Sequence, residues 1–414
     1  MKVLLIILFL PFVSLNAEEV NRISFEEFMQ QVLSNNLEYI QEQYNVSSSA
    51  AAVTAAKVFE EPELEILFPP FDSDEFDRVP RSVEFELEIP IELFGKRRNR
   101  IRKAEFENYT AEAQLEDFLR YLRAEAATVF VEISTKQRKA ERKALSLEQL
   151  NQLLETNEHL YESGEIGETD LVQTRLEVRN FTASLYDAKA ELSSVHEKAY
   201  RLMGGIPEDS LVVDNDAQWM IDVPDYLSLR ENAISNRTDI QVAERELQTS
   251  QAAVNLARSE RLPDISLIAG YHNETGRGAH SGLAAFYGGL VIPLNFSGLN
   301  RGEYQQALYS HKQSEVNLNS VLLEVESGVK RAWDNYSLYS QKLTLYDEEI
   351  LKDAERVRDA VVFSYQRGEV SLLRVLEAQR SLNESYLNYY ETLAEYVDSI
   401  IELSFESGEW LLQL

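Results

Sequence analysis

No cysteine occurs among the 414 residues. Its absence excludes disulfides, thiol chemistry, Cys-based zinc or iron–sulfur sites, and acylation of an N-terminal Cys. Basic side chains are in deficit: 40 Lys and Arg stand against 70 Asp and Glu, a formal charge of −30. Phosphate recognition depends on a Lys/Arg excess, so nucleic acid is not an expected partner. Beyond the first 17 residues no run of 18 apolar residues exists, and no bilayer-spanning helix is expected. Proline and glycine are sparse, at 10 and 16 residues. What is present is apolar enough, 44% hydrophobic with 27% charged, to build a core rather than a disordered acidic tail.

The chain begins as an export signal would. Met1-Lys2 is a short basic region, Val3 to Val13 is apolar, and Ser14-Leu15-Asn16-Ala17 offers a small residue before a cut, so cleavage is expected after Ala17. The remainder is duplicated. Asn35-Asn36-Leu37-Glu38 corresponds to Asn236-Arg237-Thr238-Asp239, and Pro62-Glu63-Leu64 to Pro263-Asp264-Ile265. Ile89-Pro90-Ile91-Glu92-Leu93-Phe94-Gly95 matches Ile292-Pro293-Leu294-Asn295-Phe296-Ser297-Gly298, and Tyr161-Glu162-Ser163-Gly164-Glu165-Ile166 matches Tyr365-Gln366-Arg367-Gly368-Glu369-Val370. The spacing drifts from about 201 to 204 residues along the chain. Residues 18–205 read as a first repeat, 206–224 as an irregular linker, 225–405 as a second repeat and 406–414 as a C-terminal end.

Each repeat reads helix, strand, strand, very long helix, tight turn, helix. Lys96–Glu162 and Leu299–Gln366 contain no proline, and glycine only at Gly302 and Gly328. At 1.5 Å per residue such a helix is about 100 Å long and needs a partner along its length. Leu115, Leu119, Leu122, Ala126, Val129 and Ile133 recur at coiled-coil spacing, and Leu318, Leu322, Val325, Val329, Ala332 and Tyr336 repeat that spacing. Leu376, Leu387, Tyr390, Ala394, Val397 and Ile401 continue it in the last helix, where Arg380 and Asn383 read as a register device or a solvated groove. Gly164 and Gly167 in one repeat and Gly368 in the other mark the turns between paired helices.

The strands are the membrane evidence. From Val83 to Leu93, Glu84, Glu86, Glu88 and Glu92 fall on one face, and Phe85, Leu87, Ile89, Ile91 and Leu93 on the other. Glu63 and Glu65 begin a similar alternation, and residues 264–271 and 282–296 flank a second hairpin loop. A soluble sheet with one wet face has the same alternation, but only four strands are present and no second layer covers them. An open four-stranded sheet in lipid would expose unpaired edges, whereas barrels close from about eight strands. More than one chain is therefore expected, with apolar faces toward lipid and the four glutamates lining water. The acidic face also predicts a cation-selective pore; the alternative is that the acidic excess keeps a large surface soluble.

From Ile23 to about Phe405 these landmarks together resemble the TolC family of outer-membrane efflux factors. The segment from Ile89 through Lys96-Arg97-Arg98-Asn99-Arg100-Ile101 looks like its CzcC-type, heavy-metal-exporting branch. The resemblance implies a mainly helical chain with a small β part. It also implies a homotrimer whose strands form a twelve-stranded barrel in outer-membrane lipid, above a hollow α-barrel that extends into the periplasm. An equatorial region would be built from the N-terminal segment, the linker and the C-terminal end. Such a protein is a passive duct, joined through a periplasmic adaptor protein to an inner-membrane efflux pump. Gly164, Glu165, Gly368 and Glu369 become candidates for adaptor contact. Counting six and nine residues on from Gly368, where the family's gate carries acids, gives Arg374 and Glu377, with Asp170 at the first-repeat equivalent. Arg374 departs from the acidic pattern and is a candidate for a closing ion pair with Asp170 or with a neighbouring chain.

No catalytic constellation is apparent. His159, His196, His272, His280 and His311 are scattered, and neither a His-Glu-x-x-His pair, a phosphate loop nor a Gly-x-Ser-x-Gly elbow occurs. His272 and His280 flank one loop with Glu274 between them and read as loop residues rather than metal ligands. The chain is expected to be no enzyme and to carry no cofactor or resident metal. Within the duct reading, drug or protein export is the alternative; outside it, the rival is a soluble periplasmic coiled-coil scaffold.

Overall fold

The computed structural model describes residues 22–68, 81–206, 211–214, 221, 223–275, 283–294 and 300–412. The expected export signal, the polar loop at 72–78 and the loop bearing His280 lie outside these residues.

Ser24 opens the first helix with a capping box: its hydroxyl accepts from the Glu27 amide, and the Glu27 carboxylate accepts from the Ser24 amide. The chain runs β1 (Arg22–Ile23), α1 (Phe25–Asn35), α2 (Leu37–Ala56), β2 (Glu63–Leu67), β3 (Arg81–Ile91), α3 (Lys96–Glu162) and α4 (Glu168–Leu202). After β4 (Val212–Val213) the order recurs as α5 (Tyr226–Asn236), α6 (Thr238–Ser259), β5 (Ile265–Thr275), β6 (Leu283–Val291), α7 (Arg301–Leu345), α8 (Leu351–Gln366) and α9 (Leu372–Ser407). Five residues of π-helix, Tyr346–Ile350, join α7 to α8.

The two repeats close on themselves by the same joint. Asn36 sits in extended backbone between α1 and α2, and its side-chain amide donates to the Leu202 carbonyl at the end of α4, 3.1 Å away. Arg237 occupies the matching break between α5 and α6 and donates to the Glu406 carbonyl near the end of α9 at 3.0 Å. Gly204 and Gly408 follow those helices with φ of 73° and 71°. A Cβ on Gly204 would lie 2.2 Å from the Asn35 carbonyl oxygen, so only glycine allows that approach.

The core follows from the heptads. Leu122, Ala126, Val129 and Ile133 are buried in one repeat, and Val325, Val329 and Ala332 in the other. Around the first set gather Phe25, Phe28 and Val32 of α1, Leu211 and Val213 of the linker, Val397, Ile400 and Ile401 of α9, and Leu412. Strand β1 pairs in parallel with β4, so the N-terminal segment, the linker and the C-terminal end meet in one cluster. The remaining strands form one antiparallel sheet in the order β2-β3-β5-β6.

A candidate channel lining and its helical tip

Strand register decides which side chains share a face. Glu86 lies opposite Glu65 on one side and Gly270 on the other, and Gly270 lies opposite Tyr287. Alternation from this row puts Glu63, Glu65, Glu84, Glu86 and Glu88 on one face, with His272, Ser266 and Tyr287. Leu67, Ile268 and Val291 are apolar members of the same face. The other face carries Leu64, Ile66, Phe85, Leu87, Ile89, Leu267, Phe286 and Leu290, all exposed. Phe286 is 86% exposed and Leu64 63%, while Glu84, Glu86 and Glu88 are half-buried. A sheet in water hides its apolar face; this one presents it outward. No helix among the described residues is long and apolar enough to cross a membrane.

Of the four expected lining carboxylates, three lie together. Glu92 falls past the end of β3 and forms a two-pronged ion pair with Arg100 of α3, at 2.5 and 3.3 Å. It belongs to the strand-to-helix corner, where Phe94 and Gly95 adopt φ of 56° and 75° and Lys96 pairs with Asp264 at 2.6 Å. Tyr287 was not legible as a member of the face. Its hydroxyl lies 2.7 Å from Glu84 Oε1 and 2.7 Å from Glu86 Oε2.

At the opposite end the two hairpins turn by the same hydrogen bonds. The Glu165 amide donates to the Leu160 carbonyl and the Gly164 amide to that of Tyr161; Glu369 and Gly368 repeat this with Ser364 and Tyr365. These are paired helix terminations with glycine in the left-handed region, at φ of 78° and 74°. Gly164, Glu165, Gly368 and Glu369 are all exposed. A cavity of about 750 Å³ opens between the hairpins, with Leu160, Ile166, Asp170, Tyr365, Gly368 and Leu372 in its lining. The Tyr365 hydroxyl donates to Asn157 Oδ1 at 3.0 Å, and the Asn157 amide donates to Thr174 at 2.8 Å. Burial, with Asp170 nearby, pushes the Tyr365 phenol above its ordinary value.

Asp170 and Arg374 stand at matching positions in the first turns of α4 and α9. Within the chain they form no ion pair; the Arg374 guanidinium instead lies 3.9 Å from Glu377 on its own helix. The polar positions of the α9 seam are satisfied across the hairpin interface. Arg380 grips the buried Glu177 with two hydrogen bonds, Asn383 accepts from Ser146 at 3.1 Å, and Gln379 donates to Gln149 at 2.9 Å. These pairs fix the register of one hairpin on the other.

The sequence profile of outer membrane efflux proteins matches residues 28–205 and 229–409. The chain belongs to the outer membrane efflux protein family. Among curated relatives, the cobalt-zinc-cadmium resistance protein CzcC of Cupriavidus metallidurans is 24% identical over 84% of this chain and 81% of its own length. The outer membrane lipoprotein SilC of Salmonella typhimurium, described as probable, is 23% identical over 79% and 72%. Among solved structures, CusC superposes with a TM-score of 0.75 at 19% identity, covering 93% of this chain and 92% of that one. The Campylobacter jejuni CmeC outer membrane channel gives 0.73 at 16%, covering 94% and 86%. The fold is thus that of the outer membrane efflux channels.

As a member of this family the protein is an outer-membrane efflux channel rather than a soluble scaffold, and family members are channels, not enzymes. Among the described residues no cluster of three or more His, Asp or Glu could hold a metal ion. His272 lies in β5 opposite Glu84, not in a loop.

Proposed function

We propose that three copies of this outer membrane efflux protein close their sheets into one barrel through outer-membrane lipid and conduct metal cations outward. The observation that carries this reading is the inverted sheet: its apolar face is exposed, while Glu84, Glu86 and Glu88 of the central strand β3 are half-buried. Strands β2 and β6 each have one paired side among the described residues, so the sheet has two edges that lipid cannot satisfy. Joining copies edge to edge satisfies both, and three sets of four strands exceed the roughly eight needed for closure. The glutamates then face the aqueous lumen, where a negative field concentrates cations.

Heavy-metal cations are the favoured cargo because a relative that matches over 84% of this chain is named for cobalt, zinc and cadmium resistance. The energy is supplied by an inner-membrane pump, and a periplasmic adaptor meets the exposed tips at Gly164, Glu165, Gly368 and Glu369. Asp170 and Arg374 on the first turns behind those tips, with Glu377 one turn on from Arg374, form the gate, with Arg374 facing a carboxylate of a neighbouring copy in the closed trimer. Deleting the gene in its own host tests the reading. Increased sensitivity to cobalt, zinc or cadmium, restored by the intact chain, is expected. Unchanged metal tolerance with increased drug sensitivity would transfer the cargo to drugs.

A further inference from the structure

The sheet's polar face holds a bridge that spans three strands. Tyr287 on β6 does not pair with β3; β5 lies between them, and strands two apart are separated by roughly 10 Å. The phenol crosses that gap because the β5 residue beneath it is Gly270. A Cβ at Gly270 would lie 2.2 Å from the Tyr287 ring and 2.5 Å from its hydroxyl. The ring therefore lies flat over a glycine and delivers its hydroxyl to Glu84 and Glu86, 2.7 Å from each.

The two carboxylates sit on one face of one strand, two residues apart, and carry like charge. A phenol has a single proton, so it donates to one carboxylate at a time while remaining in contact with both. Hydrogen bonds to an ionised acceptor are about twice as strong as neutral ones. Facing this pair are Glu65, opposite Glu86, and His272, opposite Glu84, with Glu88 next along β3. Among these groups the described hydrogen bonds to Glu84 and Glu86 come from Tyr287.

We infer that Tyr287 is a positioning residue for cation selectivity: by lying over Gly270 and engaging Glu84 and Glu86 together, it holds their charge at one fixed level of the lumen. This rests on the reading that the acidic face lines the pore. Freed of the hydroxyl, two like-charged side chains separate and sample many rotamers, and the local field that ranks cations above anions becomes diffuse.

Reversal potentials of the purified full-length protein in planar bilayers under a potassium chloride gradient test the inference. Tyr287→Phe keeps the ring over Gly270 and removes only the hydroxyl. Its cation-to-anion permeability ratio is expected to fall at least twofold, toward that of the Glu84→Gln/Glu86→Gln double variant. Gly270→Ala, which displaces the ring, is expected to give a similar fall, and combining it with Tyr287→Phe to add nothing further. If Gly270→Ala fails to assemble, Tyr287→Phe alone decides. A wild-type ratio in Tyr287→Phe, with a reduced ratio in the double glutamate variant, would overturn the role of Tyr287 and leave the lumen reading intact. A wild-type ratio in the double glutamate variant would overturn both.

Discussion

The long helix of the first repeat runs 67 residues without interruption, whereas its counterpart in the second is α7, a π-turn and α8. The heptad rows of the two repeats are 203 residues apart, from Leu115 and Leu318 to Ile133 and Tyr336, yet the tip glycines Gly164 and Gly368 are 204 apart. One extra residue has to enter the second helix between these landmarks, and Tyr346–Ile350 lies in that interval. There the Leu351 amide donates to the Tyr346 carbonyl, five residues back, so the surplus is absorbed within a single turn. The difference shows how a duplicated scaffold accepts an insertion without disturbing the packing on either side.

Deletions break that comparison most sharply. Removing Asp347 is expected to convert the π-turn to ordinary helix and leave assembly into outer membranes near wild type. Removing Ala144, the first-repeat equivalent in the uninterrupted α3, rotates everything beyond it by about 100° relative to its partners. Assembled protein should then be lost, as measured by membrane yield. Equal losses from both deletions would mean that the π-turn is no mere accommodation.

The joints differ next. Arg237 is buried, pairs with Asp239 at 2.5 Å and with Glu406, and stacks near Phe405, whereas Asn36 makes the equivalent bond without charge. Glu406 also fills the space where a Cβ on Gly328 would lie, and it pairs with Arg331 at 3.0 Å. Arg237→Ala leaves the buried Glu406 with Arg331 and the half-buried Asp239 with Arg120, and is expected to cost at most about 3–5 kcal/mol, the loss for an uncompensated buried pair. Asn36→Ala removes a cap and one buried hydrogen bond, and about 1–2 kcal/mol is expected. Denaturant unfolding of the two variants reads the ratio directly.

Asp398 in α9 has the neutral Ser194 at its first-repeat position. One carboxylate oxygen of Asp398 is buried without a hydrogen-bond partner. Burial first, then Glu132 and Glu395, push the group up to about 7. Those two glutamates are themselves paired with Lys198 and Lys342. A raised carboxylate binds more protons in the folded state, so stability falls as pH rises from about 4 to 7. The cost above pH 7 is at most about 4 kcal/mol at 1.36 kcal/mol per unit. Asp398→Asn is therefore expected to raise the thermal midpoint more at pH 8 than at pH 5; an equal effect at both would contradict the burial of its charge.

The smallest effect belongs to the tips, where Asp170 faces the cavity and Arg374 is exposed beside Glu377. Arg374→Ala should change stability by under about 1 kcal/mol, yet increase single-channel conductance if the side chain helps close the trimer. Unchanged conductance in both Arg374→Ala and Asp170→Ala would remove these residues from the gate.

Much of this was legible in the chain. Periodicity placed α3, the alternation of Glu84, Glu86 and Glu88 placed β3, and the glycines placed both tips. The π-turn was present only as a drift from 203 to 204, because helical periodicity looks sound on either side of it. Glu92 continues the alternation in the sequence but lies past the end of the strand; Arg100, one helical turn into α3, draws it to the corner. Tyr287 could not be found from pattern, since β6 carries no charge and the value of Gly270 beneath the ring depends on register between strands. The charged joint at Arg237 was visible only as an odd match to Asn36, because its partner Glu406 lies 169 residues away.

The most direct test is the reversal potential of the wild-type protein in a planar bilayer under a salt gradient. Cation preference is the result expected of a lumen lined by Glu84, Glu86 and Glu88. Anion preference would contradict a cation pathway through this outer membrane efflux protein.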